Sequence, residues 1–168
     1  MLRKQDPDEF AGFVAGRHAR MVRVAELLCG DRSRAEDLAQ DGFARAYAAW
    51  GRIRAHDPEA YVRRCIVNAH TDWWRRRTWR EEPRSELPER PGGADPAEGL
   101  ATRDMVLRAL SRLTVRERVV LVLRYYLDLS EQQIGAELGI APGTVKSTAA
   151  RAVAKLRADT ELRAEATP

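Results

Sequence analysis

The chain has 168 residues, of which 29 are lysine or arginine, 25 are aspartate or glutamate, 4 are tryptophan and 2 are cysteine. Two cysteines are too few for a disulfide framework, and no apolar run approaches the length of a membrane-spanning helix. The composition therefore excludes disulfide-rich, collagenous and membrane-inserted classes, and it predicts a location in the reducing cytoplasm.

Charge is unevenly distributed along the chain. Residues 1–80 carry 16 basic and 11 acidic side chains, residues 81–100 carry 2 and 6, and residues 101–168 carry 11 and 8. The central segment also holds four of the eight prolines and few apolar residues, so it cannot bury enough surface to offset the entropy cost of ordering. The sequence therefore predicts two small domains, 6–80 and 101–163, joined by an acidic, proline-rich linker at 81–100.

The first domain is predicted to contain three helices. The first helix is predicted to start at Asp6 and Pro7 and to end at Gly30. An aspartate N-cap, a proline at the first helical position and a glycine after the last turn are typical of helix ends. The segment Ser33-Arg34-Ala35-Glu36 has the form of a capping box and predicts the start of the second helix. A loop is predicted over 51–56.

The third helix is predicted to start at Asp57 and Pro58 and to have two distinct faces. Steps of three and four predict that its core face carries Val62, Cys65, Ile66, Ala69 and Trp73. The same steps place Arg64, Asn68, Thr71 and Arg75 on the opposite side.

This helix ends in the segment Trp73-Trp74-Arg75-Arg76-Arg77-Thr78-Trp79-Arg80. Arginine binds phosphates and stacks on bases, and exposed tryptophan stacks on unpaired bases. A solvated helix end with tryptophans folded into the core is the alternative, and it is favoured for Trp73 alone. For the cluster as a whole, the sequence predicts nucleic-acid binding.

The second domain repeats the same capping chemistry. Capping boxes at Thr114–Glu117 and Ser130–Gln133 predict two helix starts, Tyr126 is predicted to be buried, Gly139 ends a short helix and Pro142 starts a longer one. A short helix, a glycine turn and a longer basic helix form the signature of a helix-turn-helix, so the fold class is predicted to be all-α throughout.

The second helix of this motif presents small polar and cationic side chains that fit a major groove. They are Thr144, Ser147, Ala150 and Arg151, flanked by Lys146 and Lys155. An ordinary helical hairpin is the alternative interpretation.

Catalytic and metal-binding patterns are missing from the sequence. The histidines His18, His56 and His70 are scattered, and no glycine-rich phosphate loop or metal motif occurs. We therefore expect no enzyme activity, no cofactor and no metal. Cys29 and Cys65 are predicted to be core residues, with a redox switch as the alternative.

Together these motifs resemble the extracytoplasmic-function (ECF) group of alternative sigma factors of bacterial RNA polymerase. The resemblance is carried, in chain order, by 35–41 (AEDLAQD), 61–68 (YVRRCIVN), 74–77 (WRRR), 127–130 (LDLS), and 143–147 (GTVKS) followed by 151–157 (RAVAKLR).

The resemblance implies partners and roles for these positions. Asp37, Leu38, Gln40 and Asp41 would bind the clamp coiled coil of the largest subunit of core RNA polymerase. The −10 promoter DNA would be opened and held by Arg64, Asn68, Thr71, Trp74, Arg75, Arg76 and Arg77. The −35 element would be read by Thr144, Lys146, Ser147, Ala150, Arg151 and Lys155.

Two further partners are implied by the resemblance. The helix-turn-helix domain would also grip the flap of the second-largest polymerase subunit, and an anti-sigma factor would regulate the protein. Two positions depart from the family pattern, since Thr148 stands where arginine is frequent and Ala141, a poor helix cap, precedes Pro142.

Other functions remain open at this point. The main alternative is a helix-turn-helix regulator that binds duplex DNA as a dimer without core polymerase. An RNA-binding helical protein is a third interpretation, although no RNA-binding module is recognisable.

Overall fold

The computed structural model describes residues 7–80 and 97–165, and all regular elements in these two ranges are helices. This confirms the all-α fold class. The chain divides into two compact units, residues 1–84 and 85–168. The predicted cap Asp6 and most of the predicted linker, 81–96, lie outside the described residues.

Three long helices form the first unit: α1 (Pro7–Cys29), α2 (Arg32–Ile53) and α3 (Pro58–Arg80). The second unit contains α4 (Ala97–Ser111), α5 (Val115–Leu121), α6 (Glu131–Leu138) and α7 (Pro142–Glu165), with a π-helical turn at Val122–Tyr126 directly after α5. Because α4 begins at Ala97, the last four residues of the predicted linker are helical.

The start of α2 differs from the prediction. Asp31 is the N-cap, and its carboxylate accepts the backbone N–H of Arg34 at 2.7 Å. Glu36 pairs instead with Arg32 at 2.8 Å. The predicted capping box at Ser33 is therefore wrong, because the helix begins earlier and Asp31 caps its first turn.

The end of α2 also differs from the prediction, since the helix continues to Ile53 and shortens the loop predicted over 51–56. Trp50 and Ile53 are 3% and 7% exposed, so burial of these two side chains accounts for the extra turn. The start of α3 is confirmed, because Asp57 Oδ1 accepts the N–H of Ala60 at 2.9 Å and Pro58 opens the helix.

The α2 and α3 helices lie close together at Gly42. A Cβ atom at this position would lie 3.2 Å from Val62 Cγ1 and 3.4 Å from Ile66 Cγ1. Larger side chains here would push the helices apart, because interiors are packed without spare volume. Gly42 therefore seats the buried side of α3 against α2.

The core face of α3 is not the one predicted. Val62 and Ile66 are buried as expected, but Cys65, Ala69 and Trp73 are only half-buried. Arg63, Val67 and His70 take their place, and His70 is fully buried. The predicted stripe differs from the buried face because Arg63 and His70 are polar, and a hydrophobic pattern does not count polar residues as core.

Both predicted capping boxes of the second unit are confirmed. Thr114 and Glu117 exchange hydrogen bonds of 3.2 and 3.0 Å at the start of α5. Ser130 and Gln133 do the same at 3.1 and 2.8 Å at the start of α6. Each box satisfies two N–H groups that the helix itself leaves unpaired.

The helix-turn-helix is formed by α6, α7 and the turn 139–141. Gly139 adopts φ of +67°, a left-handed conformation that glycine tolerates without strain. A Cβ atom on Gly135 would lie 2.7 Å from the carbonyl oxygen of Ile140, so only glycine fits at this approach. Both glycines fix the turn that sets α7 against α6.

The π-helical turn explains why Tyr126 is exposed although the periodicity predicted it to be buried. An i to i+5 hydrogen bond joins the N–H of Leu127 to the carbonyl of Val122 at 3.2 Å. The extra residue in this turn shifts the helical phase. Tyr125 and Tyr126 are consequently 64% and 42% exposed.

An ion pair fastens α7 to α5. The Nζ of Lys155 lies 2.8 and 2.9 Å from the two carboxylate oxygens of Glu117, whose side chain is 7% exposed. Burial alone would raise the pKa of Glu117, but hydrogen bonds from Lys155 and from the backbone N–H of Thr114 hold this pKa below its ordinary value.

Substitution of this glutamate tests the ion pair. We expect Glu117→Gln to lower the free energy of unfolding by about 1–2 kcal/mol at pH 7, because the neutral amide binds Lys155 more weakly. Because the folded-state pKa is depressed, this stabilisation is complete above the unfolded value of about 4.3 and is lost as pH falls through the folded pKa.

Urea denaturation of the full chain at pH 7 and near pH 3 measures this difference. Glu36→Gln is the control, since the Arg32–Glu36 pair is about half exposed on both sides and contributes little. A difference between Glu117→Gln and the unmodified chain that persists undiminished at the lower pH would contradict the ion-pair explanation.

Candidate nucleic-acid interface

One side of α3 carries a continuous row of exposed polar residues. Arg64, Asn68, Thr71 and Arg75 follow steps of four, three and four, and each of them is exposed. The row lies opposite the buried face at Ile66 and His70. Arg76, also exposed, lies beside it, and Arg75 pairs with Asp72 at 2.8 Å. We call the four residues of the row the α3 row.

Trp74 and Arg77 lie on a different side of α3 from this row. Trp74 comes four residues after buried His70, and its indole nitrogen is buried. The ring of Trp74 meets the Trp73 ring edge to face at 5.2 Å. Arg77 is half-buried, with Cζ 5.0 Å from the centre of the Trp73 ring. The structure thus divides the predicted −10 residues between two sides of the helix.

Arg34, which the sequence did not single out for function, covers the face of Trp73. Its Cζ atom lies 3.2 Å from the centre of that ring, within the range of a cation–π contact. Burial of the guanidinium lowers the pKa of Arg34, and the nearby Arg77 cation acts in the same direction. No local motif signals this contact, because Arg34 and Trp73 lie on different helices.

The predicted polymerase-binding residues form an acidic surface on α2. Asp37, Gln40 and Asp41 are exposed, and the last two follow Asp37 by three and four residues, so they lie on the same side of the helix as Asp37. Leu38 is half-buried at its edge. Asp41 forms an exposed ion pair of 2.8 Å with Arg45, which partly offsets the negative charge.

The exposed side of α7 carries most of the predicted −35 residues. Lys146, Ser147, Ala150 and Arg151 are exposed, and Thr144 is half-buried at the edge of this surface. The hydroxyl of Ser147 donates to the carbonyl of Thr144 at 3.1 Å. The resulting surface combines two cations with small side chains.

Two further positions of α7, and Ala141 directly before it, have structural partners. Lys155 holds Glu117, so its ammonium group already has an anionic partner within the fold. Thr148, the departure from the family pattern, is 1% exposed, and its hydroxyl accepts from Arg151 at 3.3 Å. Ala141 accepts the N–H groups of Thr144 and Val145 through its backbone carbonyl, and Pro142 opens the helix.

Both cysteines are free thiols, and their environments disfavour the thiolate. Burial raises the pKa of Cys29 and also that of half-buried Cys65. The Cys29 thiol donates to the carbonyl of Asp31 at 3.2 Å. Because the thiolate is the reactive form, these shifts give no support to the alternative of a redox switch.

Within the described ranges 7–80 and 97–165, no three His, Cys, Asp or Glu side chains are grouped so that they could hold a metal ion. In the same ranges, no helix has both the length and the apolar character needed to cross a membrane.

Comparison with known proteins gives two family matches in the same order as the two units. Residues 14–80 match the model of sigma-70 region 2, and residues 103–156 match that of sigma-70 region 4. Both the α3 row and the acidic surface of α2 lie in the first match, and the helix-turn-helix lies in the second.

Characterised relatives extend over most of the chain. The RNA polymerase sigma-E factor of Streptomyces coelicolor is 39% identical over 150 residues, which cover 89% of this chain and 84% of that protein. The ECF RNA polymerase sigma factor SigM of Mycobacterium tuberculosis is 33% identical over 140 residues, covering 83% of this chain and 70% of that protein.

Solved structures share the fold at lower sequence identity. CnrH, solved in complex with the cytosolic domain of CnrY, has a TM-score of 0.67 at 22% identity and covers 94% of this chain and 90% of its own. The sigma factor RpoE of Bartonella quintana, solved with the anti-sigma factor NepR, has a TM-score of 0.66 at 22% identity, with 89% and 94% covered.

The two family matches and the identity to sigma-E and SigM confirm the resemblance that the motifs indicated. The chain belongs to the sigma-70 family, in its extracytoplasmic-function group of alternative sigma factors, which bind core RNA polymerase and direct promoter recognition.

Proposed function

We propose that this alternative sigma factor divides promoter opening and promoter reading between its two units. The first unit, predicted as 6–80, opens and holds the −10 element, and the second, predicted as 101–163, reads the −35 element as duplex. The observation that carries this proposal is the presence, in one chain, of the exposed α3 row and of a helix-turn-helix with an exposed cationic surface.

The α3 row is suited to hold an unpaired strand. Separation of DNA strands costs about 1.4 kcal/mol of stacking per step, and a protein offsets this cost by binding the released strand. Arg64 and Arg75 can pair with phosphates, while the amide of Asn68 can both donate to and accept from a base edge. Thr71 adds a hydroxyl, and exposed Arg76 adds a further cation beside the row.

Trp74 and Arg77 contribute in a different way from the row. The buried indole nitrogen of Trp74 and the half-buried position of Arg77 favour roles in shaping the end of α3. Direct stacking of a base on Trp74 would use the part of its ring that remains exposed. The proposal therefore assigns the principal strand contacts to the α3 row.

The acidic surface of α2 is proposed to bind core polymerase. Asp37, Gln40 and Asp41 present carboxylates and an amide on one side of the helix, and Leu38 adds apolar contact at the edge. Such a surface is complementary to a basic helical partner, as expected for the clamp coiled coil of the largest subunit. By the same resemblance, the second unit grips the flap of the second-largest subunit.

The exposed side of α7 is proposed to enter the major groove at the −35 element. Lys146 and Arg151 can bind phosphates or guanine edges, and Ser147 can donate to either a base or a phosphate. The small side chain of Ala150 would let the DNA approach α7 closely, and Thr144 lies at the edge of the exposed surface. We assign Lys155 mainly a structural role, because its ion pair with Glu117 would hold α7 in place.

The proposal also covers compartment, chemistry and regulation. Polymerase supplies the reaction chemistry, so we assign this protein no enzyme activity of its own, and we place it in the cytoplasm with its DNA and polymerase. The relatives CnrH and RpoE were solved with CnrY and with the anti-sigma factor NepR. We extend this to propose an anti-sigma factor for the present chain.

Transcription with purified components tests the proposed function. We expect the full chain, added to core RNA polymerase over a promoter library, to give discrete run-off transcripts from a subset of templates. A helix-turn-helix regulator that acts on duplex DNA alone cannot give core polymerase this ability. Absence of promoter-specific transcripts, despite active core enzyme, would overturn the proposal.

The α3 row can be tested by single substitutions. We expect Arg64→Ala and Asn68→Ala each to lower the fraction of permanganate-reactive open complex by about tenfold, because each removes a contact to the released strand. Affinity for core polymerase should stay within twofold. Arg52→Ala is the control, since Arg52 is an exposed arginine in the last turn of α2. Equal loss in the control would argue against a specific strand contact.

The reading surface of α7 makes a prediction about salt dependence. If Arg151 binds a phosphate, Arg151→Ala should weaken binding to promoter DNA and reduce the slope of log affinity against log salt by about one unit. Arg116→Ala, at an exposed arginine on α5, is matched in charge and should leave the slope unchanged. An unaltered slope in Arg151→Ala would contradict the assignment.

A further inference from the structure

We infer that Arg34 is a positioning residue for promoter opening: its stack on Trp73 holds the end of α3 in the orientation that the −10 strand requires. This inference rests on the proposed function, and it concerns a residue outside the α3 row and the acidic surface of α2. Arg34 is assigned no contact with DNA or polymerase.

The geometry of the contact is that of a guanidinium stacked on an indole. The Cζ of Arg34 is 3.2 Å from the centre of the Trp73 ring, whereas Arg77 lies at 5.0 Å from the same ring. Trp74 meets Trp73 edge to face at 5.2 Å, with an interplanar angle of 90°. Trp73 is therefore covered on its face by Arg34 and also makes a perpendicular ring contact with Trp74.

Arg34 is itself firmly placed by the start of α2. Its backbone N–H is bound by the N-cap Asp31 at 2.7 Å, so its Cα belongs to the first, capped turn. The side chain is half-buried, and burial lowers the pKa of its guanidinium. Loss of hydration strengthens a cation–π contact, because water no longer competes for the cation.

The position of the contact links two surfaces that the proposed function uses. Arg34 lies one turn before Asp37, where the acidic surface of α2 begins. Trp73 lies at the same level of α3 as Thr71 and Arg75 of the α3 row, but on the side of the helix that faces α2. Gly42 of α2 packs against Ile66 of α3. Ile66 lies seven residues before Trp73 along α3. The Arg34–Trp73 stack extends this seating to the last turns of α3, where helices otherwise fray.

During promoter opening, the Arg34–Trp73 stack would keep the acidic surface of α2, which binds polymerase in our proposal, at a fixed distance from the α3 row, which binds the released strand. Strand capture requires that contacts form without a further cost of ordering the helix end, and preorganised groups avoid that cost. Removal of the stack would leave the residues of the α3 row intact but let Arg75 and its neighbours move. The defect is therefore expected in open-complex formation and not in polymerase binding.

The experiment compares Arg34→Gln and Arg34→Lys with the control Arg32→Gln in the full chain with core polymerase. Arg32 has the same charge and lies in the same turn, but it pairs with Glu36 on the surface. We expect Arg34→Gln to lower the permanganate-reactive open complex about tenfold, with core affinity within twofold. Arg32→Gln should lower it less than twofold.

The lysine variant separates stacking from charge. Lysine keeps the cation but not the planar guanidinium, so Arg34→Lys should retain most of the defect. Full activity of Arg34→Lys would indicate a simple charge contact, such as one with a phosphate, and would overturn the inference. Trp73→Phe and Arg34→Gln should also be non-additive, because each disturbs the same stack.

A spectroscopic measurement detects the stack directly. In chain labelled with 5-fluorotryptophan, the Trp73 fluorine resonance, assigned by its loss in Trp73→Phe, should shift in Arg34→Gln and stay in place in Arg32→Gln. A shifted resonance with normal open complexes would overturn the positioning role, and so would an unshifted resonance.

If the unmodified chain gives no promoter-specific transcripts, the proposed function fails and this inference with it. Equal activity of Arg34→Gln and the unmodified chain defeats the inference alone.

Discussion

The seating of α3 against α2 is the contact on which the first unit depends. Gly42 lets Val62 and Ile66 approach within 3.4 Å of where its Cβ would stand, so one side of α3 is sealed into the core. Once that side is buried, the helical period leaves the opposite side to solvent. The polar row that we propose for strand capture is thus a result of packing at a residue without a side chain.

Two of the three capping boxes that the sequence predicts are confirmed, whereas contacts between different helices are not predictable from spacing. The capping boxes at Thr114 and Ser130 and the left-handed Gly139 involve residues within one turn, so their signatures are visible in the chain itself. The Arg34–Trp73 stack joins different helices, and no spacing rule indicates such a contact. The Lys155–Glu117 pair spans 38 residues and was missed for the same reason.

Polar residues inside the core caused the clearest error in the assignment of faces. The stripe predicted for α3 counted Cys65 and Trp73 as core, whereas Arg63 and His70 are more deeply buried. A buried polar group needs specific partners, and a hydrophobicity pattern cannot indicate where these partners are. The exposed row was nonetheless identified, because it depends on the polar residues that face solvent.

The second unit separates its scaffold from its proposed reading surface. Gly135, Gly139 and the Glu117–Lys155 pair set the angle and anchorage of α7, while Lys146 and Arg151 are exposed and take no part in the turn or the ion pair. Exchanges at these two residues would leave the turn and the anchor untouched. On the proposed assignment, substitutions at these exposed positions would change promoter preference while the turn and the ion pair keep α7 in place.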